Sequence, residues 1–149
     1  MSLNLLHDAK IIRVANASAA AQTEVVSAVV DTQGYDSVAF IALLGDVTAT
    51  AVLTLTLKTN EANSTSNATT TDASATFTAG ASDADNKVIV VDAMKPRERY
   101  AFASLTRTTA NAPVDGILAV LYNAHERPLA AQDASILVSA FKNDPAPAA

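Results

Sequence analysis

The chain has 149 residues, half of them hydrophobic and 17% charged, with no cysteine and no tryptophan. That is too apolar for a disordered chain and suits one compact domain held by packing alone, without disulfides or thiolate metal sites. A net charge of -5 argues against a nucleic-acid partner and against docking on an anionic membrane surface, both of which want a basic patch.

Residues 1–22 read as an N-terminal arm that carries a short first strand, Lys10–Val14. Asp8, Lys10 and Arg13 interrupt the stretch that would have to serve as the apolar region of a secretion signal, so the protein is expected to be made and used without secretion. Thr23–Asp31 is rich in valine and reads as a second strand, closed by the Gln33-Gly34 turn signal. Asp36–Leu44 is a third. In Ala51–Thr59, leucines alternate with threonine and lysine, the pattern of a strand with one dry and one wet face. The run 60–72, NEANSTSNATTTD, is polar and low in complexity and predicts a long surface loop. Ser74–Thr78, Lys87–Val91, Arg99–Thr108, Val114–Tyr122 and Ser135–Phe141 are further strand candidates. Between them lie the loop Ala79–Asn86, a connection pinned by Pro96, and a turn at Asn111–Pro113; residues 142–149 form a loose Pro/Ala tail. About eight or nine strands at this spacing predict an all-β, antiparallel β-sandwich, jelly-roll-like, with extended N- and C-terminal arms and its single domain over 23–141.

The chemistry-bearing residues are sparse. The two histidines, His7 and His125, lie far apart in the chain, and no G-x-S-x-G elbow supports a nucleophile. Asp83, Asp85 and Asn86 resemble part of a calcium loop, but Val88 stands where such a loop needs glycine, so a self-solvating polar turn is the expectation. The four glycines form no phosphate cradle. The expectation is therefore a non-enzyme with no cofactor and no metal. Contact with other proteins is the better use of the remaining features. Arg97, Arg99 and Tyr100, followed by Arg107 an even number of residues from Arg99, bring together residue types common at interface hot spots. Leu3, Leu5 and Leu6 place apolar side chains in an arm, where they must bury against their own domain or a neighbour.

Several segments together resemble a known group of proteins. Gly34-Tyr35-Asp36-Ser37-Val38 leads into an apolar strand ending at Gly45, and a Thr/Leu strand and a polar loop follow. Asp85-Asn86-Lys87-Val88, Pro96-Arg97-Glu98-Arg99-Tyr100, Asn111-Ala112 and Gly116-Ile117-Leu118-Ala119 complete the order. This arrangement, over about residues 33–121, resembles small structural proteins of tailed bacteriophages, some of which act as capsid decoration (cement) proteins. The resemblance implies a structural virion protein on the exterior of an HK97-like capsid, cementing neighbouring major capsid protein subunits, with self-association as a dimer favoured over a trimer. It adds Tyr35 to the candidate contact residues. Two alternatives are a head–tail connector or tail-tube protein and a carbohydrate-binding jelly-roll module.

Overall fold

The computed structural model describes residues 4–140. A four-residue helix, α1 (Leu5–Asp8), precedes ten strands. These are β1 (Lys10–Ala15), β2 (Ser18–Ala21), β3 (Val25–Val26), β4 (Val30–Asp31), β5 (Tyr35–Leu44), β6 (Val52–Asn60), β7 (Thr69–Thr78), β8 (Val88–Met94), β9 (Tyr100–Thr108) and β10 (Ala112–Ala124).

The strands form two antiparallel sheets. One runs β1-β10-β5-β8, with β2 continuing the β1 line along β10; the other runs β3-β9-β6-β7, with β4 continuing the β3 line along β9. The ten segments therefore make eight strand lines, and the lines pair by nesting. The fourth pairs with the fifth (β6 with β7), the third with the sixth (β5 with β8), the second with the seventh (β3 and β4 with β9) and the first with the eighth (β1 with β10). Rolling that long hairpin adds the pairs β10–β5 and β9–β6 and closes the two sheets over one another. This is the jelly-roll winding.

Period-two alternation decides what lies between the sheets. Val38, Phe40, Ala42 and Leu44 of β5 and Ile117, Ala119 and Leu121 of β10 are buried from one side. Leu53, Leu55 and Leu57 of β6 and Ala101, Ala103 and Leu105 of β9 meet them from the other. Small aliphatic side chains suffice because the space between two packed sheets is only about 10 Å deep. On the wet face of β6 the alternating residues are threonines that pair across the strand: Thr54 Oγ1 lies 3.0 Å from Thr76 Oγ1, and Thr56 Oγ1 3.1 Å from Ser74 Oγ.

The all-β antiparallel sandwich matches the expectation from sequence, and four local readings are corrected. Thr23–Asp31 is not one strand. Buried Ser27 still bonds β9, its N donating to Ala103 O and its Oγ accepting from Ala103 N, but Ala28 N donates to Val14 O of the other sheet, and pairing with β9 resumes only at Val30. The loop expected over 60–72 is shorter, because Thr69 and Thr70 already pair with Thr59 and Lys58. β-Branched threonine suits an edge strand that is wet on both faces, and Asn60 Nδ2 ties down the remaining loop through Ser64 O and Ser66 O, both at 2.8 Å. Ala112 and Pro113 begin β10 instead of forming a turn. Residues 135–140 form no strand; Phe141 lies outside the described residues, as does the tail.

Candidate interaction surfaces

Two parts of the surface carry the candidate contacts. The first is the loop end of the sandwich. Thr32–Tyr35 form a turn closed by Tyr35 N donating to Thr32 O at 3.0 Å, with Gly34 at φ +93°, a backbone conformation that disfavours any side chain. Tyr35 opens β5 beside the 95–99 connection, and His125 N, just beyond β10, donates to Gly34 O. Tyr35, Arg97, Arg99 and His125 thereby line one shallow depression of about 460 Å³. Of the residues named from sequence, three therefore come together here, and Tyr100 adjoins them.

Within this patch the charged side chains other than Arg97 have partners among the described residues. Arg99 grips Asp31 through two hydrogen bonds, Nε to Oδ1 at 2.8 Å and Nη2 to Oδ2 at 2.7 Å, and its guanidinium lies 5.1 Å from the centre of the Tyr100 ring. The hydrogen bonds from Arg99 hold the Asp31 carboxyl below its ordinary pKa, and the same pairing raises that of Arg99. Burial pushes the Tyr35 phenol up. His125 Nε2 sits 2.8 Å from Asp36 Oδ1 as an exposed surface pair.

Arg107 does not belong to this patch, which corrects its assignment as a contact residue. It is 1% exposed. In the strand proper the odd positions of β9 face inward, and Arg107 follows Ala101, Ala103 and Leu105 in that set. Its guanidinium donates to Thr23 O (2.8 Å), Ala19 O (2.9 Å), Ala112 O (2.6 Å), Thr23 Oγ1 (3.0 Å) and Ser18 Oγ (3.3 Å). It is a clasp joining β9, β2 and the start of β10. Desolvation lowers its pKa, which for arginine leaves the charge in place.

The apolar arm residues divide. Leu3 lies outside the described residues; Leu5 is exposed and Leu6 half-buried on α1. The helix is held against the chain's own later segment: Leu129 N donates to His7 O, Gln132 Nε2 donates to Leu6 O and Ala9 O, and Arg127 Nε lies 2.7 Å from Asp8 Oδ1.

The second surface was not singled out from sequence. β7 and β8 are the free edges of the two sheets on the same side of the sandwich. Two hollows lie between them, of about 400 Å³ around Phe77, Ile89 and Val90 and about 610 Å³ around Thr71, Asp92 and Arg97. Phe77 belongs to the inward set, opposite buried Leu53, yet is 41% exposed because no strand covers that edge. Val88, Val90 and Met94 point outward and are more exposed still. The uninterrupted Val88-Ile89-Val90-Val91 run is the sequence signal for this edge, since a strand wet on one face ought to alternate.

Among the described residues no three His, Cys, Asp or Glu side chains are grouped to hold a metal ion. The 83–86 loop spends its carboxylates on itself and its neighbour: Asp83 Oδ1 accepts from Gly80 N and Asp85 Oδ1 from Val47 N.

No protein-family model matches the chain, and no curated protein matches it. Among solved structures, a chain of Desmodium yellow mottle tymovirus is similar at 14% identity, covering 84% of this chain and 90% of its own length, with a TM-score of 0.34.

Proposed function

We propose that this protein is a structural component of a virion that binds the outside of a tailed-phage capsid and bridges neighbouring major capsid protein subunits. One observation carries the reading. The chain is spent on a two-layer jelly roll whose concave features are shallow and lie at its margins, along the β7 and β8 edges and at the 32–35 and 95–99 loops. That architecture serves viral capsid and lectin domains alike. The lectin alternative is disfavoured by the aromatics. Sugar sites stack a tryptophan or tyrosine ring, and this chain has no tryptophan, while Arg99 lies over Tyr100 and Tyr35 is half-buried. The resemblance over residues 33–121 supplies the phage assignment. Many weak copies on a lattice bind with avidity, which suits a body offering Arg97 and Tyr35 at one end.

The test is reconstitution. Heads lacking the protein are mixed with the purified chain and imaged by electron cryomicroscopy. The expected result is regular density on the outer shell between adjacent capsid subunits. Density confined to the portal vertex or tail, or none, overturns the reading.

A further inference from the structure

The two sheets present different outer faces. On the β3-β9-β6-β7 sheet the outward set is mostly hydroxyl side chains: Thr54 and Thr56 of β6 lie between Thr76 and Ser74 of β7 and Thr106 and Ser104 of β9, with Val26 and Phe102 the apolar exceptions. On the β1-β10-β5-β8 sheet it is aliphatic. Phe40, Ala42 and Leu44 of β5 fill the core, so Ala39, Ile41 and Leu43 point the other way; in β10 Leu118 and Val120 alternate likewise with buried Ile117, Ala119 and Leu121. The registers align these side chains in cross-strand rows, Arg13–Leu118–Ile41–Val90 and Ile11–Val120–Ala39–Asp92. The outer face of an antiparallel sandwich is ordinarily polar. In these rows charge stands only at two opposite corners, Arg13 on β1 and Asp92 on β8, both exposed.

We propose that this face packs against the same face of a second copy of the chain, in a two-fold pair. An apolar face gains by leaving water, and the corner charges select what covers it. A two-fold axis between the faces, running along the strands midway between β10 and β5, lays each β1 margin over the other copy's β8 margin. Leu118 then lies over the second copy's Ile41, and Val120 over its small Ala39. Arg13 faces the second copy's Val90, one pleat repeat or about 7 Å from Asp92, within reach of a guanidinium. The symmetry makes the same ion pair twice, the self-matching of an isologous contact.

Within one molecule the two charges cannot meet, because β1 and β8 are three strand spacings apart, roughly 14 Å. The Arg13 side chain is loosely held, by long bonds to Ala15 O (3.4 Å) and Asp115 O (3.5 Å). Asp92 accepts from the Tyr122 hydroxyl and keeps further acceptor positions. The chain's own ends are poor covers by composition: residues 1–3 and 141–149 bring Met1, Leu3 and Phe141 as their large apolar side chains. The pairing does not rest on the capsid reading, since it needs only the chain itself.

The experiment follows the full chain and two variants, Arg13→Asp and Asp92→Arg, by sedimentation equilibrium over a range of concentrations, with circular dichroism to check the sheets. Both side chains are exposed, so both variants keep the native spectrum. The native chain is expected to pair reversibly. Each variant alone sets like charges against each other twice, and its pairing weakens about tenfold or more. Mixed in equal amounts, the two variants pair as the native chain does, because one copy then presents two acidic corners and the other two basic ones. A native chain that is monomeric or assembles beyond a pair, a single variant that pairs as tightly as the native chain, or a mixture no tighter than its components each overturns the proposal.

Discussion

The two edges of the first sheet are treated in opposite ways. Along β1, the backbone donors of Ile11 and Arg13 are taken by the side chains of Gln132 and Ser135, so the edge is occupied without a strand being added. Along β8 the apolar Val88–Val91 run ends the sheet, and among the described residues no further strand pairs with it. The same chain thus carries both a sealed and an open margin, and the lesson is that sealing is done by side chains arriving from far along the sequence. An open edge is the exception in folded proteins and marks where another chain can attach.

The comparison can be broken hardest on the sealed side. Arg107→Ala removes the clasp between β9, β2 and β10, leaving the buried Ala112 carbonyl and the part-buried bonds to Ala19 O and Thr23 O without their donor. A loss of about 3 kcal/mol or more is expected in denaturant unfolding, and Arg107→Lys recovers only part of it because a single ammonium cannot reproduce the fork. Gln132→Ala comes next. It frees Ile11 N, Leu6 O and Ala9 O together, and about 1–3 kcal/mol should be lost. Asp31→Asn weakens the Arg99 pair at the exposed loop end by up to about 1 kcal/mol at neutral pH. Its pH dependence has a definite sign. The carboxyl titrates lower folded than unfolded, so its contribution is present above the unfolded value and fades as pH falls through the folded one; the variant and the native chain should converge in acid. On the open side, Val90→Thr should leave monomer stability unchanged within about 0.5 kcal/mol, because that side chain faces solvent. A substantial loss there, measured at low protein concentration, would mean β8 is covered after all.

Much of this fold was legible because it is written in alternation. Leu53, Leu55 and Leu57 against Thr54, Thr56 and Lys58 announce β6 and its buried face without any long-range knowledge. What alternation cannot announce is where a strand is interrupted. Thr23–Asp31 reads as continuous, yet the break at Ser27 depends on Ala103 and Val14, distant in sequence. β2 is alanine-rich and carries almost no strand signal; it exists because β10 extends past β1. The candidate site divides in the same way. Arg97, Arg99 and Tyr100 were legible as an interface composition and do sit at one end with Tyr35. Arg107 was misassigned because an even spacing from Arg99 says the two share a face but not which face is wet; its inward direction is set by the leucine and alanines before it in β9. The apolar outer face of β8 was readable as hydrophobic but not as exposed, since only the sheet order shows that no strand follows it.

Nested pairing also imposes a timetable on synthesis. The β6–β7 hairpin can form as soon as both strands have left the ribosome, but each later partnership waits on a more distant segment, until Lys10 finally meets Leu121. The last of the described strands, β10, is an interior member of its sheet, lying between β1 and β5. A polypeptide stalled before residue 112 would hold its first and third strand lines with nothing to join them, and its inner apolar face would stay uncovered for as long as translation paused. Growth from such distant closures is slow in folding terms, so this fold should commit to its native state only after β10 has been made.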